Sequence, residues 1–185
     1  MICSSITRLG KPMTFWCPRV ANLHARHGNP LGPVQGVGYV NELLARLTGQ
    51  PVQDRTQTNW TLDASPETFP LDRNFYADFS HDNHIVSIYS ALGLFQPDAP
   101  PSTDSLDPKR KWRVSRMTPF CGRIITEKLR CGDGGEYVRI LVNDAVQPLE
   151  FCGADKDGLC TLDAFVESQA YARSNGDGDW ERCFS

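Results

Sequence analysis

Between residues 74 and 93 the chain reads Asn-Phe-Tyr-Ala-Asp-Phe-Ser-His-Asp-Asn-His-Ile-Val-Ser-Ile-Tyr-Ser-Ala-Leu-Gly, and no other stretch limits the possible folds as sharply. Its first half is short and aromatic and follows Pro70 and Asn74. Its second half sets Ile85, Val86, Ile88, Tyr89 and Leu92 at helical spacing and stops at Gly93. A strand, a sharp turn and a helix are predicted, with Ser80, His81, Asp82 and Asn83 in the turn. In an α/β sheet, the handover from a strand's carboxyl end to a helix N-terminus is where ligands collect, because free backbone N–H groups and the helix dipole favour an anion there. His81 then suits a phosphate oxygen and Asp82 a proton. The plain alternative is a simple cap, since Asp and Ser are good N-cap residues.

The other segments fit an α/β arrangement. Val37, Val40, Leu43, Leu44 and Leu47 form an amphipathic stripe after Pro33 and Gly36 and before Gly49 and Pro51, which predicts a core-facing helix. Residues 56–72 are rich in Thr, Asn, Pro and Asp and read as a surface loop, as do residues 96–107. A strand is predicted over residues 120–129 and a second over residues 137–142, where Tyr137, Arg139 and Leu141 oppose Val138, Ile140 and Val142. Asn143-Asp144 supplies a tight hairpin turn toward Val146 and Leu149, and Thr161 can cap a short helix bearing Leu162, Phe165 and Val166.

Composition narrows the function classes. At 185 residues, 40% hydrophobic and 22% charged, the chain can bury the core of one domain. A formal net charge of -3 gives no global reason to expect nucleic acid, and no apolar run is long enough to span a bilayer. The one dense basic run, Lys109, Arg110, Lys111, Trp112, Arg113 and Arg116, reads as a solvated loop rather than a nucleic-acid patch. Seven cysteines suggest an oxidising compartment, and their odd number leaves at least one unpaired within the chain. No zinc site is expected, because no C-x-x-C pair exists and the histidines are scattered. Asn175, Asp177 and Asp179 open like an EF-hand loop, but Trp180 stands where Gly is required.

The turn at His81-Asp82 resembles the "HD" segment of the histidine acid phosphatases, most closely the fungal phytases of 3-phytase type. Residues 29–47, residues 61–63 through 69–71, residues 138–144 and residues 179–184 resemble successive pieces of the same family in the same order. Residues 29–185 are therefore identified as the carboxyl-terminal part of a histidine acid phosphatase domain. The resemblance implies an incomplete large α/β domain of the phosphoglycerate-mutase-like fold, with residues 1–28 as a non-matching stretch.

By that resemblance the activity is phosphomonoester hydrolysis through a phosphohistidine, without a metal or other cofactor, on a substrate such as phytate. Asp82 corresponds to the proton donor and His81 to a phosphate contact. The family's nucleophile lies in an Arg-His-Gly-x-Arg-x-Pro motif. Arg26-His27-Gly28 begins like it, but Asn29-Pro30 follows and the second Arg, the fork that would orient phosphate, is missing. No nucleophile is assigned, His27 included, and the family's amino-terminal half becomes an expected partner. The alternative is a non-catalytic remnant or phosphate-binding fragment.

The resemblance also implies a local disulfide between Cys152 and Cys160, and leaves Cys131 and Cys183 without their usual partners. Cys3, Cys17 and Cys121 have no family counterpart. It implies an extracellular location, for which Asn59-Trp60-Thr61 offers a glycosylation acceptor at Asn59, although residues 1–17 do not read as a signal peptide. A chain folded without the remainder of the domain is expected to expose apolar surface and a sheet edge.

Overall fold

The computed structural model describes residue 29, residues 31–97 and residues 108–185; His27, Cys3, Cys17 and most of residues 96–107 lie outside them. A 3-10 turn at Pro33–Gly36 leads into α1 (Val37–Thr48), followed by α2 (Trp60–Asp63), α3 (Asp82–Leu92) and α4 (Val114–Met117). Strands β1 (Ile124–Arg130), β2 (Glu136–Val142) and β3 (Ala145–Val146) come next, then β4 (Cys160–Thr161), α5 (Leu162–Ser168), α6 (Ala170–Arg173) and α7 (Asp179–Arg182).

The stripe on α1 buries Val37, Val40, Leu43, Leu44 and Leu47, and the helix ends at Gly49 in the left-handed conformation. Its approach to α3 depends on Gly36: a Cβ there would collide with the Ser87 carbonyl oxygen and lie 2.8 Å from the Ala91 methyl. Close backbone contact needs a residue without a side chain. α3 closes in the same way, with Gly93 at φ 80° and the Leu94 N–H donating to the Tyr89 carbonyl at 2.9 Å.

The sheet is antiparallel, so the mixed α/β fold places no parallel pair among the described residues. β1 pairs β2 along its whole length, from Ile124 opposite Val142 to Arg130 opposite Glu136. The other edge of β2 holds β3 at one end and β4 at the other. Val138, Ile140 and Val142 point into the core while Tyr137, Arg139 and Leu141 are half-buried, the two-residue period expected of the strand. Asn143 and Asp144 both take positive φ, 49° and 69°, the twist a two-residue hairpin requires. The Thr161 hydroxyl accepts from the Ala164 N–H at 3.3 Å and starts α5, whose Phe165 is fully buried. One apolar cluster joins Val34, Val40, Tyr89 and Leu92 to Val138, Ile140, Leu149 and Phe165, and the Lys128 ammonium ties β1 to the Leu47 carbonyl at 2.9 Å.

Several expectations change. The first strand starts at Ile124 rather than residue 120, because Cys121 turns at φ 57° and the Gly122 N–H folds back onto the Pro119 carbonyl. Phe120 is thereby left fully exposed. The expected loop over residues 56–72 contains α2, capped by the Asn59 carboxamide, which accepts from the Thr61 N–H at 3.1 Å. No strand forms over residues 74–80: no neighbouring strand lies beside them among the described residues. Trp112 anchors the basic run by burying its ring in the core, and the run itself is irregular up to α4. Asp179 accepts from the Tyr171 hydroxyl at 3.0 Å and pairs with Arg182 at 2.7 Å, so the EF-like opening is part of a helix start.

Cys152 and Cys160 form the expected disulfide, with Cα atoms 6.0 Å apart, and Cys131 is a free thiol, as is Cys121. Cys183 departs from expectation: it is disulfide-bonded and buried rather than orphaned.

Candidate active site

The site is built on the start of α3. Apolar residues Val86, Ile88, Tyr89 and Leu92 bury one side of this helix, so its polar first turn is left at the surface. His81 is the N-cap residue, with extended backbone (φ -108°, ψ 162°), and its carbonyl takes the first helical bond from the Ile85 N–H at 3.0 Å. The imidazole of His81 makes no capping bond and is exposed beside Asp82. Asp82 is the first helical residue, and its carboxylate accepts from the Asn83 N–H at 2.7 Å. The Asn83 carboxamide accepts in turn from the His84 N–H at 3.1 Å. Two first-turn amides are thus held by short polar side chains that an incoming anion can displace, at the positive end of the helix dipole.

His84 stands behind this pair, its ring edge-on to His81 with centroids 5.6 Å apart. Partial desolvation and the neighbouring His81 hold the His84 imidazole below the ordinary histidine range, against a smaller opposing pull from Asp82. His84 therefore stays neutral more readily than an exposed histidine.

The approach to the site is pinned from below. Asp78 forms an ion pair with Arg46 at 2.7 Å, the Arg46 side chain being 6% exposed and that of Asp78 24%. The guanidinium lies 4.9 Å from the Phe69 ring centroid and 5.1 Å from that of Tyr76, and 4.0 Å from the Glu42 carboxylate. Burial and the Asp78 charge push the neighbouring Tyr39 hydroxyl well above its usual range. Nothing in the local sequence signals the Arg46–Asp78 pair, because its members lie 32 residues apart. His84 carries no local signal beyond being a polar residue that follows Asn83.

The expected site residues separate into groups. His81 and Asp82 are adjacent at one exposed helix start; Asn59 caps α2 on another segment; Cys160 lies in β4 and is bonded to Cys152 in the 3-10 turn Glu150–Cys152 before it; His27 falls outside the described residues.

Comparison with known proteins gives this arrangement its class. The family model described as Histidine phosphatase superfamily (branch 2) matches residues 16–143, a span that includes α1, α3 and the His81-Asp82 turn. The chain belongs to that superfamily and has its fold. It is 50% identical to Phytase A of Emericella nidulans over 161 residues, covering 85% of this chain and 34% of that protein. Phytase A of Aspergillus oryzae is 48% identical over 162 residues, again 34% of its length. A crystal structure of the phytase from D. castellii aligns with a TM-score of 0.61 and 26% identity, over 80% of this chain and 28% of that one. The chain thus spans about a third of the length of the curated relatives it matches.

Proposed function

We propose that this chain supplies the acid half of a phytase-type phosphatase site, with Asp82 as the proton donor to the leaving alcohol and His81 as a contact to the phosphate. The observation that carries the reading is the pairing of these two side chains, both exposed, at the N-terminus of α3 in a chain related to phytases. In the reaction a histidine nitrogen contributed by the rest of the domain attacks phosphorus. The bond from phosphorus to the leaving oxygen breaks, and Asp82 in its acid form gives that oxygen its proton. Water then attacks the phosphohistidine and releases phosphate, with the Asp82 carboxylate placed to take the water's proton. Phytate or another phosphomonoester is the substrate class, and secretion with a glycan on Asn59 accompanies this reading. Asn59 uses only its carbonyl oxygen in capping, and Trp60 and Thr61 beside it are exposed.

A second reading is a fragment that binds phosphate without turning it over. It is favoured by the open position of His81 and Asp82, which nothing encloses among the described residues. One chimera separates the two readings: the 85% of this chain that matches Emericella nidulans Phytase A replacing the corresponding third of that protein. Phytate hydrolysis at about pH 5 that falls by about 10² to 10⁴ in Asp82→Asn supports the enzyme reading. A folded chimera without activity, or one indifferent to Asp82→Asn, leaves the binding fragment.

A further inference from the structure

The first turn of α3 holds one more titratable ring than the proposed acid and its phosphate contact use. His84 is the third residue of the helix, three positions on from the N-cap His81, and side chains at that spacing are neighbours on a helix surface. The two imidazoles meet edge-on, with centroids 5.6 Å apart and planes at 64°, and both residues are exposed. Neither ring makes a hydrogen bond or ion pair among the described residues. Their nitrogens are therefore available to a ligand that approaches the helix start.

Two imidazoles this close do not both take a proton freely. Partial desolvation and the charge on His81 weigh against a proton on His84, while the Asp82 carboxylate favours one. A polyanion at the turn removes the opposition, because its oxygens accept from each protonated ring and supply the missing countercharge. His84 is also close enough to Asp82 to feel its charge, so it stands toward the departing alcohol as well as toward His81.

We infer that His84 is a specificity-determining residue of this site, its imidazole binding a second phosphate group that the leaving alcohol carries next to the phosphate held by His81. The inference rests on the function proposed above. It makes the site favour polyphosphorylated alcohols over singly phosphorylated ones. One charge-assisted hydrogen bond of this kind is worth about 10- to 100-fold in affinity.

The test compares phytate with an inositol monophosphate in the chimera, its His84→Gln variant and its Asp82→Asn variant. In His84→Gln, the ratio of kcat/KM on phytate to kcat/KM on the monophosphate is expected to fall at least about 10-fold, with most of the loss in KM. Histidine-ring NMR of the same chimera gives a readout apart from turnover, the His84 signal being identified by its loss in His84→Gln. Phytate is expected to raise the affinity of His84 for its proton at least about 10-fold, and the monophosphate much less. Equal losses on the two substrates would mean that His84 touches only the transferred phosphate, and would overturn the inference. So would an unchanged ratio, or a His84 titration that phytate does not move. An active chimera that depends on Asp82 but keeps its substrate ratio in His84→Gln would leave the phosphatase reading standing without this one. An inactive chimera in which phytate still raises the His84 proton affinity would sink the phosphatase reading and keep the second phosphate contact.

Discussion

Replacing Arg46 by Met should loosen the approach to His81 and Asp82 more than any other single change in α1. The substitution keeps the apolar stem and removes the charge that pairs with Asp78 at 2.7 Å and lies over Phe69 and Tyr76. Removing one partner of a buried ion pair costs about 3–5 kcal/mol when the other is left unpaired. The Asp78 side chain is 24% exposed, so water recovers part of that loss, and about 2–3 kcal/mol is the better figure. Two ring contacts to a desolvated guanidinium add about 1 kcal/mol. The expected loss is therefore about 3–4 kcal/mol, a large part of the ~5–15 kcal/mol that holds a typical domain. At about 2–4 °C per kcal/mol for a chain of this size, Tm should drop by about 10 °C. Urea denaturation of the wild type, Arg46→Met, Asp78→Asn and the double variant gives the coupling directly. Asp78→Asn in the Arg46→Met background should restore about 1–2 kcal/mol, because it removes the charge that Arg46 compensated. A cost below about 1 kcal/mol for Arg46→Met, or strictly additive losses, would refute the reasoning.

Gly36→Ala should destabilise by at least about 1–3 kcal/mol in the same assay, since its methyl has no room against Ser87 and Ala91. Converting both Cys152 and Cys160 to Ala should cost about 2.5 kcal/mol by the loop-closure estimate for a separation of eight residues, read as a lower urea midpoint. The lowered His84 basicity means that the unfolded chain binds its proton more readily than the native one. The His84 contribution is therefore complete above the ordinary histidine value of about 6.5 and is lost as pH falls through the lower native value. His84→Gln should flatten that acid-side decline in a pH series of Tm values; an unchanged slope would contradict it.

The parts of the fold that could be read from the sequence are those set by local spacing. α1 and α3 follow from their apolar stripes and their closing Gly49 and Gly93, β2 from its two-residue alternation, and the β2–β3 hairpin from Asn143-Asp144. His81 and Asp82 were legible as a turn because the aromatic run stops and the helical period starts around them. The failures are tertiary. A strand needs a neighbour as well as a pattern, so residues 74–80 join no sheet among the described residues. Arg46 carries no local signal, because its buried pairing with Asp78 depends on a contact across 32 residues. The bonded state of Cys183 could not be seen from cysteine spacing, because connectivity is fixed by distance in the folded chain.

The most direct measurement is the dependence of the Asp82→Asn effect on the leaving group, in the chimera that carries the matched part of this chain. A proton donor matters most when the departing oxygen is strongly basic, as in an inositol phosphate, and least when it leaves readily, as from 4-nitrophenyl phosphate. If Asp82 is that donor, kcat on phytate falls by about 10² to 10⁴, while kcat on the aryl ester falls much less. Equal losses on both substrates, or no loss on either, would contradict the central claim that this helix start provides the acid of a phosphatase.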